Sequence, residues 1–285
     1  MKHLNYEEII PSKYVIPKEL LQEFHNFIAV YMPPSKTGRP RSDNNPLIAG
    51  IYYLLKTGCQ WDALPKCFGP AKTVYHRFRE LVKANAFQKI WKSVLMYYDR
   101  TNGLRLENQS IDSCHKKAPL GGDKTEISPV DRRKLGSKLN LVVEELGLPI
   151  GATVAGGNRH DTQLFVPLID NLQNQISQSR NHYLRTDKGF VSKKNKEEAI
   201  KRNFTPVMPL KKPKNKPRVV KDKDSIRWVV ERTFSWMNRF RRVFIRYDKL
   251  SKNFLELVQF ACLVIVFRQA HNILLNPSMN WRSQA

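Results

Sequence analysis

The sequence predicts an α/β protein in which a mixed five-stranded sheet with helices follows an all-helical N-terminal region. Three observations predict this class. Apolar residues recur at helical spacing up to about residue 102, alternation typical of strands begins after Asn102-Gly103, and short strands then alternate with helices. We therefore expect two domains, a helical domain over residues 1–102 and an α/β domain over residues 103–285.

The N-terminal region has a pattern that resembles a helix-turn-helix. Its predicted helices are PKELLQEFHNFIAVYM, PLIAGIYYLLKTG, AKTVYHRFRELVKANAF and QKIWKSVLMYYDR. The second and third are joined by the irregular segment CQWDALPKCFGP, and the third carries Lys72, Tyr75, Arg77 and Arg79. A helix, a short connection and a basic, aromatic helix favour DNA recognition. A plain helical bundle with a solvated basic face is the alternative.

The C-terminal region begins with three predicted strands, LRLENQSIDS, SKLNLVVEE and PIGATVAGG, the last two joined by a hairpin at Leu146–Pro149. The helix DTQLFVPLIDNL follows, with Asp161 as its predicted N-cap, and then the strand HYLRTD, the helix KKNKEEAIKR and the strand FTPVMPL. Helices over about 225–243 and 251–274 complete the chain. This order, three strands of an antiparallel meander and then alternating helices and strands, is that of the ribonuclease H-like fold.

The charge balance indicates a polyanionic partner. The chain has 49 Lys and Arg against 25 Asp and Glu, a formal net charge of +24. Nucleic acid is the favoured partner, and an anionic membrane surface fits less well because no separate basic amphipathic helix is present. A basic protein without such a partner is the simpler alternative.

Cysteine usage and hydropathy favour a cytosolic protein. The four cysteines form no C-x-x-C pair, which argues against a zinc knuckle or a disulfide framework. The first residues lack the apolar segment of a signal peptide. The apolar stretch FLELVQFACLVIVF is too short and interrupted for a membrane span, so it predicts a buried helix.

Three carboxylates are candidates for a metal site. Active sites of open α/β sheets lie at the carboxyl ends of strands, where Asp112 and Asp187 are predicted. Glu231 lies on a polar face of the 225–243 helix, one turn after Arg227. Alone, each aspartate is explained by a turn and Glu231 by an ion pair with Arg227. Together, in a very basic chain, they favour two-metal phosphodiester chemistry.

Several motifs together resemble a known family. IDSCHKKAP, SPVDRRKLGSKLNLVVEELGLPIGATVAGGNRHD, LRTDKGF and RWVVERTFSWMNRFRRVFIRYDK are similar to bacterial insertion-sequence transposases with an Asp-Asp-Glu triad. The most similar group is the insertion-sequence-five group, which is related to insertion-sequence-four, and the likeness spans roughly residues 37–272. The resemblance implies that Asp112, Asp187 and Glu231 are the first, second and third acids of the triad.

The related group carries a signature Tyr-x2-Arg-x3-Glu-x6-Lys, from which this chain departs. Arg227-x3-Glu231 fits the signature, but its tyrosine position holds Asp224. Its lysine position holds Asn238, followed by Arg239. The departure leaves open which basic residue holds the DNA end.

The resemblance implies a DNA transposase that binds terminal inverted repeats and catalyses strand cleavage and strand transfer. The triad would bind two Mg²⁺ or Mn²⁺ ions. We expect double-stranded DNA as partner, a homodimer or larger assembly on DNA, and location in the bacterial cytoplasm at the nucleoid, with no membrane contact. The predicted DNA-binding residues are Arg39, Arg41, Lys72, Tyr75, Arg77, Arg79, Arg227, Arg239, Arg241 and Arg242. The alternatives are a non-catalytic DNA-binding protein derived from a transposase and a metal-dependent endonuclease without strand transfer.

Overall fold

The computed structural model describes residues 5–33, 41–129, 131–172, 182–209 and 228–275. The helices are α1 (Tyr6–Ile9), α2 (Lys18–Tyr31), α3 (Asn44–Thr57), α4 (Ala71–Lys83), α5 (Ala86–Asn102), α6 (Asp161–Asp170), α7 (Lys193–Lys201), α8 (Trp228–Asn238), α9 (Arg241–Phe244) and α10 (Ser251–Leu275). The strands are β1 (Asn108–Lys117), β2 (Glu126–Ile127), β3 (Leu135–Val143), β4 (Pro149–Gly156), β5 (His182–Thr186) and β6 (Phe204–Val207).

The predicted helix pair of the N-terminal region is formed by α3 and α4. Helix α3 begins after Asp43, whose side chain accepts a hydrogen bond from the backbone N–H of Asn45, and ends at Gly58 in the left-handed conformation. The connection to α4 contains two 3₁₀ turns, Trp61–Ala63 and Lys66–Phe68. Helix α4 buries one apolar face, with Arg77 buried beside it, while Lys72 is exposed.

The sheet has the predicted strand order. Strands β1, β3 and β4 form an antiparallel meander, while β5 pairs in parallel with β1 and β6 in parallel with β5. The main strands therefore lie in the order β4-β3-β1-β5-β6, the arrangement of a ribonuclease H-like domain. The short strand β2, which the sequence did not predict, pairs with the first two residues of β3.

Helix α10 is the core helix that the apolar sequence predicted. It is long and apolar enough to cross a membrane by length and composition, so the expectation that it is too short was wrong. However, 72% of its most apolar window is buried inside the protein. The ring of Phe260 packs against Phe24, Tyr52 and Phe87 of the N-terminal helices. Because α10 also contacts β4, it joins the helical region to the sheet.

Two predicted boundaries were wrong. Strand β1 does not end at Asp112 but continues to Lys117, because its antiparallel pairing with β3 extends from Ser110 to Lys117. The helix predicted over 225–243 is interrupted after Asn238, and Phe240 precedes a separate short helix, α9. Phe240 is buried, so it anchors the break. Residues 225–227 lie outside the described residues.

A third correction concerns the start of α6. The N-cap is His160, whose ring nitrogen accepts a hydrogen bond from the backbone N–H of Thr162. Asp161, the predicted cap, is the first helical residue. Its carboxylate instead accepts hydrogen bonds from Ser113 on β1 and Lys138 on β3.

Candidate active site and nucleic-acid interface

The two candidate aspartates follow paired positions on neighbouring parallel strands. Ile111 of β1 is in register with Thr186 of β5, the last residue of that strand. Asp112 follows Ile111 and Asp187 follows Thr186, and adjacent strands lie about 4.8 Å apart. Both side chains are half-buried. The parallel pairing of β1 with β5 therefore ends one residue before Asp112 and Asp187, although β1 itself continues to Lys117.

Helix α8 covers the face of the sheet that carries Asp112. Lys116, four residues after Asp112, projects from the same face of β1 because strand side chains alternate. Its buried ammonium donates a hydrogen bond to Asn238 Oδ1 of α8 at 2.6 Å. The C-terminal end of α8 is thus fixed over the second half of β1.

The middle of α8 is fixed by the β3–β4 hairpin. Thr233 Oγ1 donates to the carbonyl of Gly147 at 2.6 Å, and Arg232 donates to the carbonyl of Leu146 at 2.7 Å. This hairpin lies beside the segment that leads into β1, since Glu145 N–H donates to the carbonyl of Arg105. Helix α8 therefore runs in the same general direction as β1.

The contacts of Asn238 and Thr233 indicate how the side of α8 that carries Glu231 is oriented. Glu231 and Asn238 are seven residues apart, which places them within about 20° on the helix. Glu231 and Thr233 differ by about 160°. Glu231 therefore lies on the side of α8 that carries Asn238, whose side chain contacts Lys116 of β1. Its side chain is exposed.

The donor set suits a hard divalent cation, although the ligands are not gathered into a closed cage. Carboxylate oxygens are the ligands that Mg²⁺ prefers, and Mg²⁺ retains several waters. Across the described residues, no group of three or more His, Cys, Asp or Glu side chains is arranged to hold a metal ion. Asp112 and Asp187 follow paired positions on β1 and β5, whereas Glu231 lies on the separate helix α8.

Asp161 is a residue of this region whose contacts sequence reasoning missed. Its Oδ1 atom accepts hydrogen bonds from Ser113 Oγ at 2.9 Å and from Lys138 Nζ at 2.7 Å. Ser113 follows Asp112 directly, so Asp161 supports β1 from the opposite face of the sheet. The motif Arg159-His160-Asp161 does not distinguish the contact of Asp161 with β1 and β3 from helix capping. Both need only a short polar side chain at the start of a helix.

Comparison with known proteins identifies the family. Residues 106–266 match the family described as "Transposase DDE domain", and residues 20–91 match the one described as "Putative transposase of IS4/5 family". The chain belongs to the DDE transposase family.

A curated relative agrees with this assignment, and two solved structures show a weak likeness. The chain is 30% identical over 151 residues to a "Putative transposase for insertion sequence element IS402" of Burkholderia cepacia, covering 51% of this chain and 69% of that protein. It is similar to piggyBac transposase in a synaptic complex with hairpin DNA, with 12% identity, TM-score 0.43, and 93% and 75% coverage of this chain and that one. For the Mos1 mariner paired end complex with Mn, the identity is 11%, the TM-score 0.32, and the coverage 93% and 89%. Likeness at these scores adds nothing to the fold established above.

The transposase acts on DNA, and several predicted DNA-binding residues are accessible. Lys72, Arg41, Arg239 and Arg241 are exposed. Tyr75 and Arg79 are half-buried on α4, with the ring of Tyr75 against that of Trp61 at a centroid distance of 5.1 Å. Arg39 and Arg227 lie outside the described residues, as does Asp224 at the signature tyrosine position.

Two other predicted DNA-binding residues are buried in ion pairs. Arg77 is 6% exposed and its Nε donates to Glu80 at 2.8 Å. Arg242 is 4% exposed, donates from Nε to Asp248 at 2.9 Å, and donates from Nη1 to the carbonyl of Cys59. In the transposase, Arg242 links the start of α9 to Asp248 and Cys59, whereas Arg77 pairs within α4. Both guanidinium groups are buried and lie outside the proposed DNA surface.

Proposed function

We propose that this transposase binds the terminal inverted repeats of an insertion sequence and catalyses strand cleavage and strand transfer at Asp112, Asp187 and Glu231. The observation that carries the proposal is the register of β1 and β5. It supports two adjacent carboxylates at the end of a parallel strand pair, on the sheet face that α8 covers. The flank of α8 that carries Glu231 faces the same strand.

Each acid has a distinct structural task in this proposal. Asp112 lies within β1, paired with Leu141 of β3, one residue past the end of the pairing with β5. Asp187 begins the turn after β5, and Glu231 projects from a helix with two anchors. We infer that the three carboxylates bind two Mg²⁺ or Mn²⁺ ions. When bound, such ions supply activation of the nucleophile and stabilisation of the leaving oxygen.

The chemistry follows from a phosphodiester placed against these carboxylates. In cleavage, water attacks phosphorus, the P–O3′ bond breaks, and a 3′-hydroxyl and a 5′-phosphate result. In transfer, that 3′-hydroxyl attacks a target phosphodiester and displaces its 3′ oxygen. Exposed cations on α4 and near α9 hold the DNA backbone, which gives salt-dependent affinity.

The assembly and the location are part of the same proposal. Two element ends must be joined to one target, so the active form is a homodimer or larger assembly on DNA. The reaction takes place in the cytoplasm at the nucleoid, where the DNA is. Mass measurement of the protein alone and with duplex DNA tests the assembly, and a single protomer per two bound ends contradicts it.

The deciding experiment incubates the purified full chain with Mg²⁺, labelled DNA carrying the element ends, and a target plasmid. Joined product supports transposition, cutting alone indicates a nuclease, and binding without reaction indicates a non-catalytic DNA-binding protein. Glu231→Gln is nearly isosteric but uncharged, and we expect it to lower strand transfer by roughly 100-fold or more. Ser235→Ala, an exposed position on the same helix, is the control. Unchanged transfer by Glu231→Gln rejects the proposed third acid.

A further inference from the structure

A cavity of about 330 Å³ lies between the N-terminal helical region and the junction of α8 and α9. It is lined by Lys13, Tyr14, Lys56, Thr57, Arg239 and Arg241. We call it the cationic cavity, because four of these side chains are basic and none of the described lining residues is acidic. The two lysines and Tyr14 were not predicted to bind anything.

Two of the cations, Lys56 and Arg241, are positioned by packing between α3 and the segment that includes α9. The ammonium of Lys56 lies over the ring of Phe240, 4.8 Å from its centroid. A Cβ built on Gly58 would lie 2.8 Å from Cβ of Arg241, so the end of α3 touches the start of α9. Arg242, the next residue, is fixed by Asp248 and by the carbonyl of Cys59. The cavity therefore exists before any ligand arrives.

Gathering four positive charges is unfavourable unless an anion compensates them. Burial, together with Arg268 and Arg239, lowers the pKa of Lys56 to about 8. The carbonyl end of α3 is close, and a helix C-terminus favours a nearby cation. That effect accounts for one basic side chain at the end of α3 and not for four. A bound anion relieves the repulsion of the whole group.

We propose that the cationic cavity binds a phosphate group, and that this group is a backbone phosphodiester of the DNA. Lys13, Arg239 and Arg241 are exposed, so a long polyanion can reach them. Arg239 is eight residues after Glu231, about 12 Å along the direction of α8. The cavity thus offers a phosphate site close to the helix that carries the proposed third acid. The choice of DNA as ligand rests on the proposed function, while the choice of phosphate rests on the cavity alone.

The test compares two double variants that each remove one lysine and one arginine. Lys13→Ala with Arg239→Ala removes charge from the cavity, whereas Lys18→Ala with Arg100→Ala removes exposed charge that does not line it. We measure the Kd for duplex DNA with an element end over a range of salt. The cavity variant is expected to bind several-fold more weakly, and the slope of log Kobs against log salt falls in magnitude by about one. Equal behaviour of the two variants overturns the proposal.

Phosphate ethylation identifies the contact. With the unmodified protein, ethylation at one or two phosphates near the element end should block binding. With the cavity variant, those positions should no longer matter, while interference elsewhere is retained. An identical interference pattern for both proteins rejects the cavity as a DNA contact. Lys56→Gln removes another charge from the cavity, together with its ammonium contact to Phe240, and provides a second variant. Thermal melting of each protein verifies folding.

Inorganic phosphate and a nucleoside triphosphate separate the two sources of the ligand. If either raises the melting temperature of the unmodified protein but not of the cavity variant, with DNA binding equal in both, the cavity binds a free phosphate and the DNA assignment is wrong. Failure of strand transfer with an intact salt-slope difference rejects the proposed function and leaves the cavity assignment standing.

Discussion

The carboxylate of Asp161 occupies the space that a side chain at Gly189 would need. A Cβ built on Gly189 would lie 2.6 Å from Asp161 Oδ2. Gly189 lies in the 3₁₀ turn after Asp187, and its φ is not positive. The glycine in Asp187-Lys188-Gly189 is therefore required by close approach rather than by backbone conformation. Through Asp161, the turn that follows Asp187 contacts the residue next to Asp112.

Gly189→Ala is expected to displace Asp161 or the turn. Overpacking of this kind costs about 1–3 kcal/mol, which urea denaturation measures. A double-mutant cycle with Asp161→Ser provides the control, because shortening residue 161 makes room for the new methyl group. The two changes together should cost less than the sum of the single changes. An additive cycle means that the two residues do not share this contact in solution.

Thr233→Val tests the anchor between α8 and the β3–β4 hairpin. Valine has nearly the same shape, but it removes the hydroxyl that donates to the carbonyl of Gly147. Because that contact is buried, we expect a loss of about 1–3 kcal/mol in the free energy of unfolding. Strand transfer should fall less than with Glu231→Gln. The exposed Ser235→Ala on the same helix is expected to stay within about 0.5 kcal/mol of the parent, and an equal effect of both changes contradicts the anchor.

Substitutions at Arg242 and Arg239 are expected to have opposite effects, although the residues are three positions apart. The first should lower stability, and the second should weaken DNA binding. Arg242→Met leaves the buried Asp248 without its partner, which costs about 3–5 kcal/mol in stability. Arg239→Ala, at an exposed position, should leave urea denaturation nearly unchanged and weaken DNA binding. Adding Asp248→Asn to Arg242→Met should recover part of the stability. Preserved stability of Arg242→Met alone means that the ion pair is not formed as described.

Glu144 makes stability depend on pH. Burial raises its pKa from 4.5 to about 7, although backbone N–H groups of Leu148 and Leu146 donate to it. Since the folded protein retains a proton that the unfolded chain releases, stability falls as the pH rises from about 4.5 to about 7. At about 1.4 kcal/mol per pKa unit, the loss amounts to about 3 kcal/mol.

Glu144→Gln removes this ionisation while its amide oxygen still accepts both hydrogen bonds. We expect the stability of the variant relative to the parent to increase between pH 5 and pH 8 in urea denaturation. Burial also raises the pKa of Glu256 to about 8, so Glu256→Gln should act in the same direction. Glu145→Gln, at the half-exposed neighbour, is the control. If the difference in unfolding free energy between the parent and Glu144→Gln is the same at pH 5 and pH 8, the raised pKa of Glu144 is contradicted.

Local signals predicted most of the fold. Apolar spacing and Gly58 defined α3, alternation defined β3 and β4, and the order of elements indicated the ribonuclease H-like sheet. The extent of β1 was not predictable from its own residues. Polar side chains from Ser113 to Lys117 continue the strand only because β3 supplies backbone partners along that length.

The candidate acids could be chosen from the sequence, but their common setting could not. Asp112 and Asp187 are 75 positions apart, and only the parallel register of β1 and β5 makes them neighbours. The division at residues 102 and 103 remains a prediction, and α10 contacts both parts.

The sequence by itself determined the class of protein: a very basic α/β chain with three acids in the motifs of a DDE transposase. Tertiary structure alone decided which basic residues are available to a ligand. Arg239, Arg241 and Arg242 look alike in sequence, yet Asp248 binds the last while the first two line the cationic cavity. The physical reason is that a charge acts through its burial and its partners, which come from distant parts of the chain.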